Sequence, residues 1–121
     1  MTVNPYSVEP KRSSAWLWQA LTGAALLPLL ALHIIANHFV AEGGLRDYAD
    51  VVSYLSHPVI LGLETLFLVV VTAHALLGVR AIAMDFGLSD QAGRRLSRSL
   101  AVLGLLTVGY GLLLTRIIIS G

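Results

Sequence analysis

The sequence has 121 residues, 56% of them hydrophobic and 12% charged, with a mean hydropathy of +0.78. A chain this short and this apolar lacks the polar surface that a soluble domain needs, so lipid is its expected solvent. A net charge of +1 gives no basis for nucleic-acid or other polyanion binding, and the absence of cysteine excludes disulfides, iron–sulfur ligation and thiol catalysis by this chain.

Residues 1–14, MTVNPYSVEPKRSS, are polar and contain two prolines. They resemble neither a cleaved signal nor an Arg-rich organelle presequence, so a bacterial or archaeal plasma membrane is the expected location. A bilayer core takes about 20 apolar residues in helix. The first span is expected over 15–40, with Pro28 tolerated inside it because neighbouring helices re-satisfy the backbone. Gly43 and Gly44 break that helix. Within 45–57, Tyr48, Val51, Val52 and Leu55 recur at helical spacing, which predicts a short amphipathic segment on the membrane surface. The second span is expected over 58–84, a polar connection with three arginines over 85–98, and the third span over 99–119.

Basic residues set the orientation. Lys11, Arg12, Arg80, Arg94, Arg95 and Arg98 fall at one end of the three spans, and only Arg46 and Arg116 at the other. The N-terminus and the second connection are therefore expected in the cytoplasm. The fold class is an all-α membrane protein of three transmembrane helices. In the third span Gly104, Thr107, Gly109 and Gly111 offer a small-residue face expected to meet a neighbouring helix.

Four histidines occur. His57 precedes Pro58 in a connection, and His38 lies near the outer end of the first span, where an imidazole reaches water. His33 and His74 fall inside the hydrocarbon, where polar groups are costly and mark sites. Bundles also use such groups for interhelical hydrogen bonds. No acidic residue is read at comparable depth on either span, which favours metal ligation. His33 sits outward of its span's midpoint and His74 inward of its own, a difference in depth of roughly 13 Å. The two axial ligands of one heme iron face each other about 4 Å apart, given Fe–N bonds near 2 Å. Each imidazole therefore needs a partner from elsewhere, and two b hemes are expected at an interface with a second membrane subunit. Gly78, one turn beyond His74 on the same face, leaves room for a porphyrin edge. Asn37 stands in the same relation to His33 and either does the same or hydrogen-bonds a neighbouring helix. Arg80 and Arg46 are candidate partners for heme propionates at the two ends, or simply the charges of the membrane boundary and a solvated loop.

Two stretches, HALLGVRAIAMDF (74–86) and HIIANHF (33–39), resemble the membrane anchors of succinate:quinone oxidoreductases. The first is similar to the family's second-helix pattern of a heme-ligating His, a Gly four residues on, an Arg, then an Asp and an aromatic. The second resembles the first-helix segment of the di-heme anchors, in which the first His is the ligand. The resemblance implies heme b ligation by His33 and His74. It also implies docking under a flavoprotein and an iron–sulfur subunit, and electron transfer from succinate to a quinone, menaquinone or ubiquinone. Residues 1–121 then form one anchor domain, one of two small anchors in a larger helical bundle, and a non-catalytic subunit of the enzyme.

The chain departs from the pattern in two places. No Arg precedes Thr22-Gly23, and Phe86 stands where the family has a quinone-contacting Tyr. Asp85 either lines a quinone site or caps its helix, and Trp16 either contacts quinone or anchors the helix in the aromatic belt. Two other classes remain: a cytochrome b subunit of a hydrogenase or formate dehydrogenase, and a non-redox structural subunit whose histidines only hydrogen-bond.

Overall fold

A computed structural model of the chain describes residues 14–41, 43–45 and 47–121. All regular structure among them is helical: α1 (Ala15–Ile35) running into a π-helical turn (Ala36–Val40), α2 (Tyr48–Ser56), α3 (Pro58–Asp85) and α4 (Asp90–Ser120). The stretches Ala15–Val40, Pro58–Asp85 and Asp90–Ser120 are each long and apolar enough to cross a membrane. The three expected spans are therefore present.

The local chemistry explains the boundaries. The π turn closes with Ala41 N–H donating to Ala36 O at 3.1 Å, and Gly43 and Gly44 then adopt φ of 74° and 79°, a region open to glycine. Asp47 and Asp50 form a capping box: Asp47 Oδ1 accepts from Asp50 N at 2.9 Å, and Asp50 Oδ2 from Asp47 N at 3.3 Å. Pro58 starts α3, where its missing N–H has no helical partner to lose. Gly87, at φ 79°, ends α3. The last helix begins nine residues before the span expected over 99–119. Ser89 caps it, its Oγ accepting from Ala92 N at 3.2 Å, and Gly93 is buried against Met84 of α3. Hydropathy marks only the lipid-embedded length of a helix; these first turns are polar and project beyond it.

The second span, α3, is the middle helix and packs against both α1 and α4. Tyr54 of α2 folds back against Ala36 and Ile60 to form a small buried cluster at one end of the bundle, while Leu29 and Gly93 are buried elsewhere. Elsewhere the outer faces are apolar and open, with Leu27 74% exposed and Leu105 76%. Such continuous apolar surface is rare on a soluble monomer and is what lipid or a partner helix covers.

The small residues of the last span find their neighbour within the chain. A Cβ at Gly104 would lie 2.7 Å from Leu76 Cδ1, and one at Gly111 2.6 Å from Leu68 Cδ2, both on α3. Gly109 faces open space. A Gly111→Leu substitution is therefore expected to separate α3 from α4 and lower the yield of intact protein in membranes. Overpacking of this kind costs about 1–3 kcal/mol. Membrane yield by immunoblot, with Gly109→Leu as the neutral control, checks it.

Candidate functional site

Both intramembrane histidines project into the seam between α1 and α3, and each is fixed by a different set of groups. His74 on α3 meets the Thr22-Gly23 pair of α1. Its Nδ1 lies 3.0 Å from Thr22 Oγ1. The Thr22 hydroxyl in turn bonds to Trp18 O at 2.7 Å and lies 3.1 Å from Gln19 O. One hydroxyl proton serves those carbonyls, so Oγ1 accepts from an Nδ1–H and the proton-free ring nitrogen is Nε2. Gly23 makes the contact possible, since a Cβ there would lie 3.0 Å from His74 Cε1. Among the described residues Nε2 has no hydrogen bond.

His33 on α1 is held more elaborately. Its Nδ1 is 2.7 Å from Glu64 Oε2 of α3. The ring stacks on Phe67, one turn further along α3, with centroids 4.6 Å apart and planes 26° from parallel. Tyr54 of α2 donates a short hydrogen bond to Glu64 Oε1. Asn37 Nδ2 donates to His33 O at 2.7 Å and to Tyr54 Oη at 3.2 Å, with Glu64 Oε1 at 3.4 Å. Against His33 Nε2 it reaches only 3.5 Å, the limit of a hydrogen bond. Burial first, then the hydrogen bond and charge of Glu64, raise the Tyr54 hydroxyl well above the ordinary phenol value, so it remains a donor.

This corrects one expectation. Glu64 is an acidic partner at His33's own depth, and the absence of such a partner was an argument for metal ligation. A carboxylate in a membrane helix costs about 3 kcal/mol on insertion scales. Hydrogen bonds to a charged group are worth about 1.5–3 kcal/mol each, so the donors converging here offset that cost. The pairing with Glu64 engages Nδ1 and not Nε2. A histidine that donates Nδ1–H to a carboxylate is oriented, and made more basic, for ligation through Nε2.

The antiparallel register fixes the two levels. Thr22 marks the level of His74 on α1 and lies eleven residues from His33, while Glu64 marks the level of His33 on α3 and lies ten residues from His74. At 1.5 Å per residue the imidazoles are about 15 Å apart along the bundle, far too distant to share an iron. No group of three or more His, Cys, Asp or Glu side chains arranged to hold a metal occurs among the described residues. The donor set instead offers two single imidazoles, each anchored through Nδ1 by a group on the neighbouring helix, which fits one ligand apiece for a porphyrin iron.

The other expected residues are distributed as follows. Gly78 faces α1, where a Cβ would lie 3.3 Å from Gln19 Nε2, so the room it leaves is taken by helix packing. Asn37 takes the hydrogen-bonding role. Arg80 donates from Nε to Ser97 Oγ at 2.9 Å and lines a largely apolar groove of about 420 Å³ that also contains Thr22 and Trp18. Asp85 ends α3 and Trp16 opens α1, both exposed at the basic end. Arg46 lies outside the described residues, as do Lys11 and Arg12. Sequence reasoning missed Glu64, Tyr54 and Thr22. A carboxylate inside an apolar span was itself the signal for the first.

Three antiparallel spans with two anchored imidazoles at separate levels define a polytopic membrane subunit. Residues 5–113 match the family of succinate dehydrogenase/fumarate reductase transmembrane subunits. The chain is 34% identical over 100 residues, 83% of its length, to a succinate dehydrogenase hydrophobic membrane anchor subunit of Archaeoglobus fulgidus, covering 85% of that protein. It is 28% identical, again over 83% of its length, to the corresponding subunit of Thermoplasma acidophilum, covering 81% of it. No solved structure matches. The chain belongs to the succinate dehydrogenase/fumarate reductase transmembrane subunit family and is a membrane anchor subunit of that enzyme class.

Proposed function

We propose that the chain is a heme b-carrying anchor of a succinate dehydrogenase. In this reading it pairs with a second membrane anchor, supplies one axial imidazole to each of two b hemes at the shared interface, and docks the iron–sulfur and flavoprotein subunits at its basic end. The observation that carries the reading is the matched treatment of the two histidines. Each engages the neighbouring helix through Nδ1, with only Asn37 Nδ2 at 3.5 Å against His33 Nε2, at levels about 15 Å apart.

Heme b, when bound, supplies a one-electron relay across the bilayer. The chain's own residues do the rest. Thr22 and Gly23 seat His74 near the basic end, and Glu64 and Phe67 hold His33 near the far end. Arg80, held by Ser97 at the basic end, would offer a cation to a propionate there. Asp85 and Trp16 border the place where a quinone, menaquinone or ubiquinone, meets the iron–sulfur subunit. The dicarboxylate and flavin chemistry belongs to the other subunits.

Purification of the native complex through a tag on this chain tests the assignment. Copurification of a succinate-oxidising flavoprotein, an iron–sulfur protein and a second small membrane subunit, with b-type absorbance reducible by succinate, is the expected result. Copurification of a hydrogenase or formate dehydrogenase, or an active complex without b-type absorbance, would refute it.

A further inference from the structure

The cluster around His33 does more than the ligation reading requires. We infer that Glu64 and Tyr54 form a positioning clasp by which the surface helix α2 sets the donor strength of the His33 imidazole. This inference rests on the proposed role of His33 as an axial ligand.

The hydrogen bonds converge on Glu64 from two sides. Asn37, on the π turn at the end of α1, donates to Tyr54 Oη at 3.2 Å. Tyr54 donates to Glu64 Oε1, and Glu64 Oε2 accepts from His33 Nδ1 at 2.7 Å. Asn37 also donates to His33 O at 2.7 Å, closing the loop on the residue it serves. Tyr54 is 8% exposed, one of the few enclosed residues of the chain, and packs with Ala36 and Ile60. Its hydroxyl therefore has a fixed position relative to α1 and α3. The capping box of Asp47 and Asp50 fixes where α2 begins. His74 has no equivalent: its anchor is a neutral hydroxyl bonded only to its own helix. The two ligands thus differ in kind, one backed by a carboxylate and the other by an alcohol.

The consequence follows from ligand chemistry. A carboxylate on Nδ1–H draws the imidazole toward imidazolate, which favours the oxidised iron and lowers the potential. The Tyr54 hydrogen bond takes up part of the carboxylate's acceptor strength and so moderates that effect. The two side chains act in opposite directions on one property.

Potentiometric titration of the b components in the purified native complex tests the clasp. In Glu64→Gln the outer component is expected to move to higher potential, and in Tyr54→Phe to lower potential. The inner component stays in place in both. An outer component that does not move in Glu64→Gln overturns the inference, as does a joint shift of both components, which would mark a general disturbance of the bundle. If Glu64→Gln yields no complex, Tyr54→Phe alone decides: a downward shift of the outer component sustains the clasp, and no shift overturns it. A wild-type complex without b-type components refutes the ligation reading, and the clasp with it; unmoved potentials in a heme-containing complex refute the clasp alone.

Discussion

His33→Ala is expected to abolish one b-type component of the intact complex, and His74→Ala a different one. Each imidazole is anchored at its own level of the bundle, and about 15 Å along the axis is too far for one to replace the other. The loss in each variant should be of one whole component, read in a reduced-minus-oxidised spectrum at low temperature. The surviving component should keep its band position, because the two sites share no residue: Thr22 and Gly23 serve one, and Asn37, Tyr54, Glu64 and Phe67 the other. Unchanged spectra in both variants would mean that the two histidines only hydrogen-bond.

The second large effect is expected at a residue that carries no functional group. Gly23 is the floor on which the His74 ring rests, with 3.0 Å between a would-be Cβ and Cε1. An alanine there requires the ring to give by a few tenths of an ångström, so Gly23→Ala should retain the inner component. The branched side chain in Gly23→Val has no such accommodation. It should displace His74 from Thr22, remove the inner component and leave the outer one intact. Overpacking costs about 1–3 kcal/mol in a well-packed seam, which a three-span bundle can survive while losing one ligand geometry. A Gly23→Val complex with both components at full amplitude would show that His74 is not seated on α1.

Much of this architecture is legible from the order of residues. The spans follow from hydropathy because an apolar run of about 20 residues satisfies its own backbone in lipid as a helix. The separation of the two histidines follows from counting along those spans. The Glu64–His33 pairing was within reach, since Glu64 lies about as far outward on the second span as His33 does on the first. Tyr54 is different in kind. Nothing in YADVVSYLS says which of its residues will turn back into the bundle, because that depends on the two glycines and the capping box that aim α2. The early start of α4 shows the complementary blind spot: apolar length finds the membrane, and the Ser89 cap finds the helix.

Gly78 carries a related lesson. Its place one turn from His74 suggests room for a prosthetic group, yet the space is filled by Gln19 of the neighbouring helix. Small residues in membrane helices serve close backbone approach first. At this seam Gly23 and Gly78 lie on opposite helices and both tighten it, so the ligand and the packing are built from the same few positions.

The most direct measurement is the heme content of the native complex, by extraction and difference spectroscopy against the quantity of this chain. Two b hemes for every copy is the expected value, one for each imidazole level. A complex that reduces quinone with succinate while carrying fewer than two would contradict it.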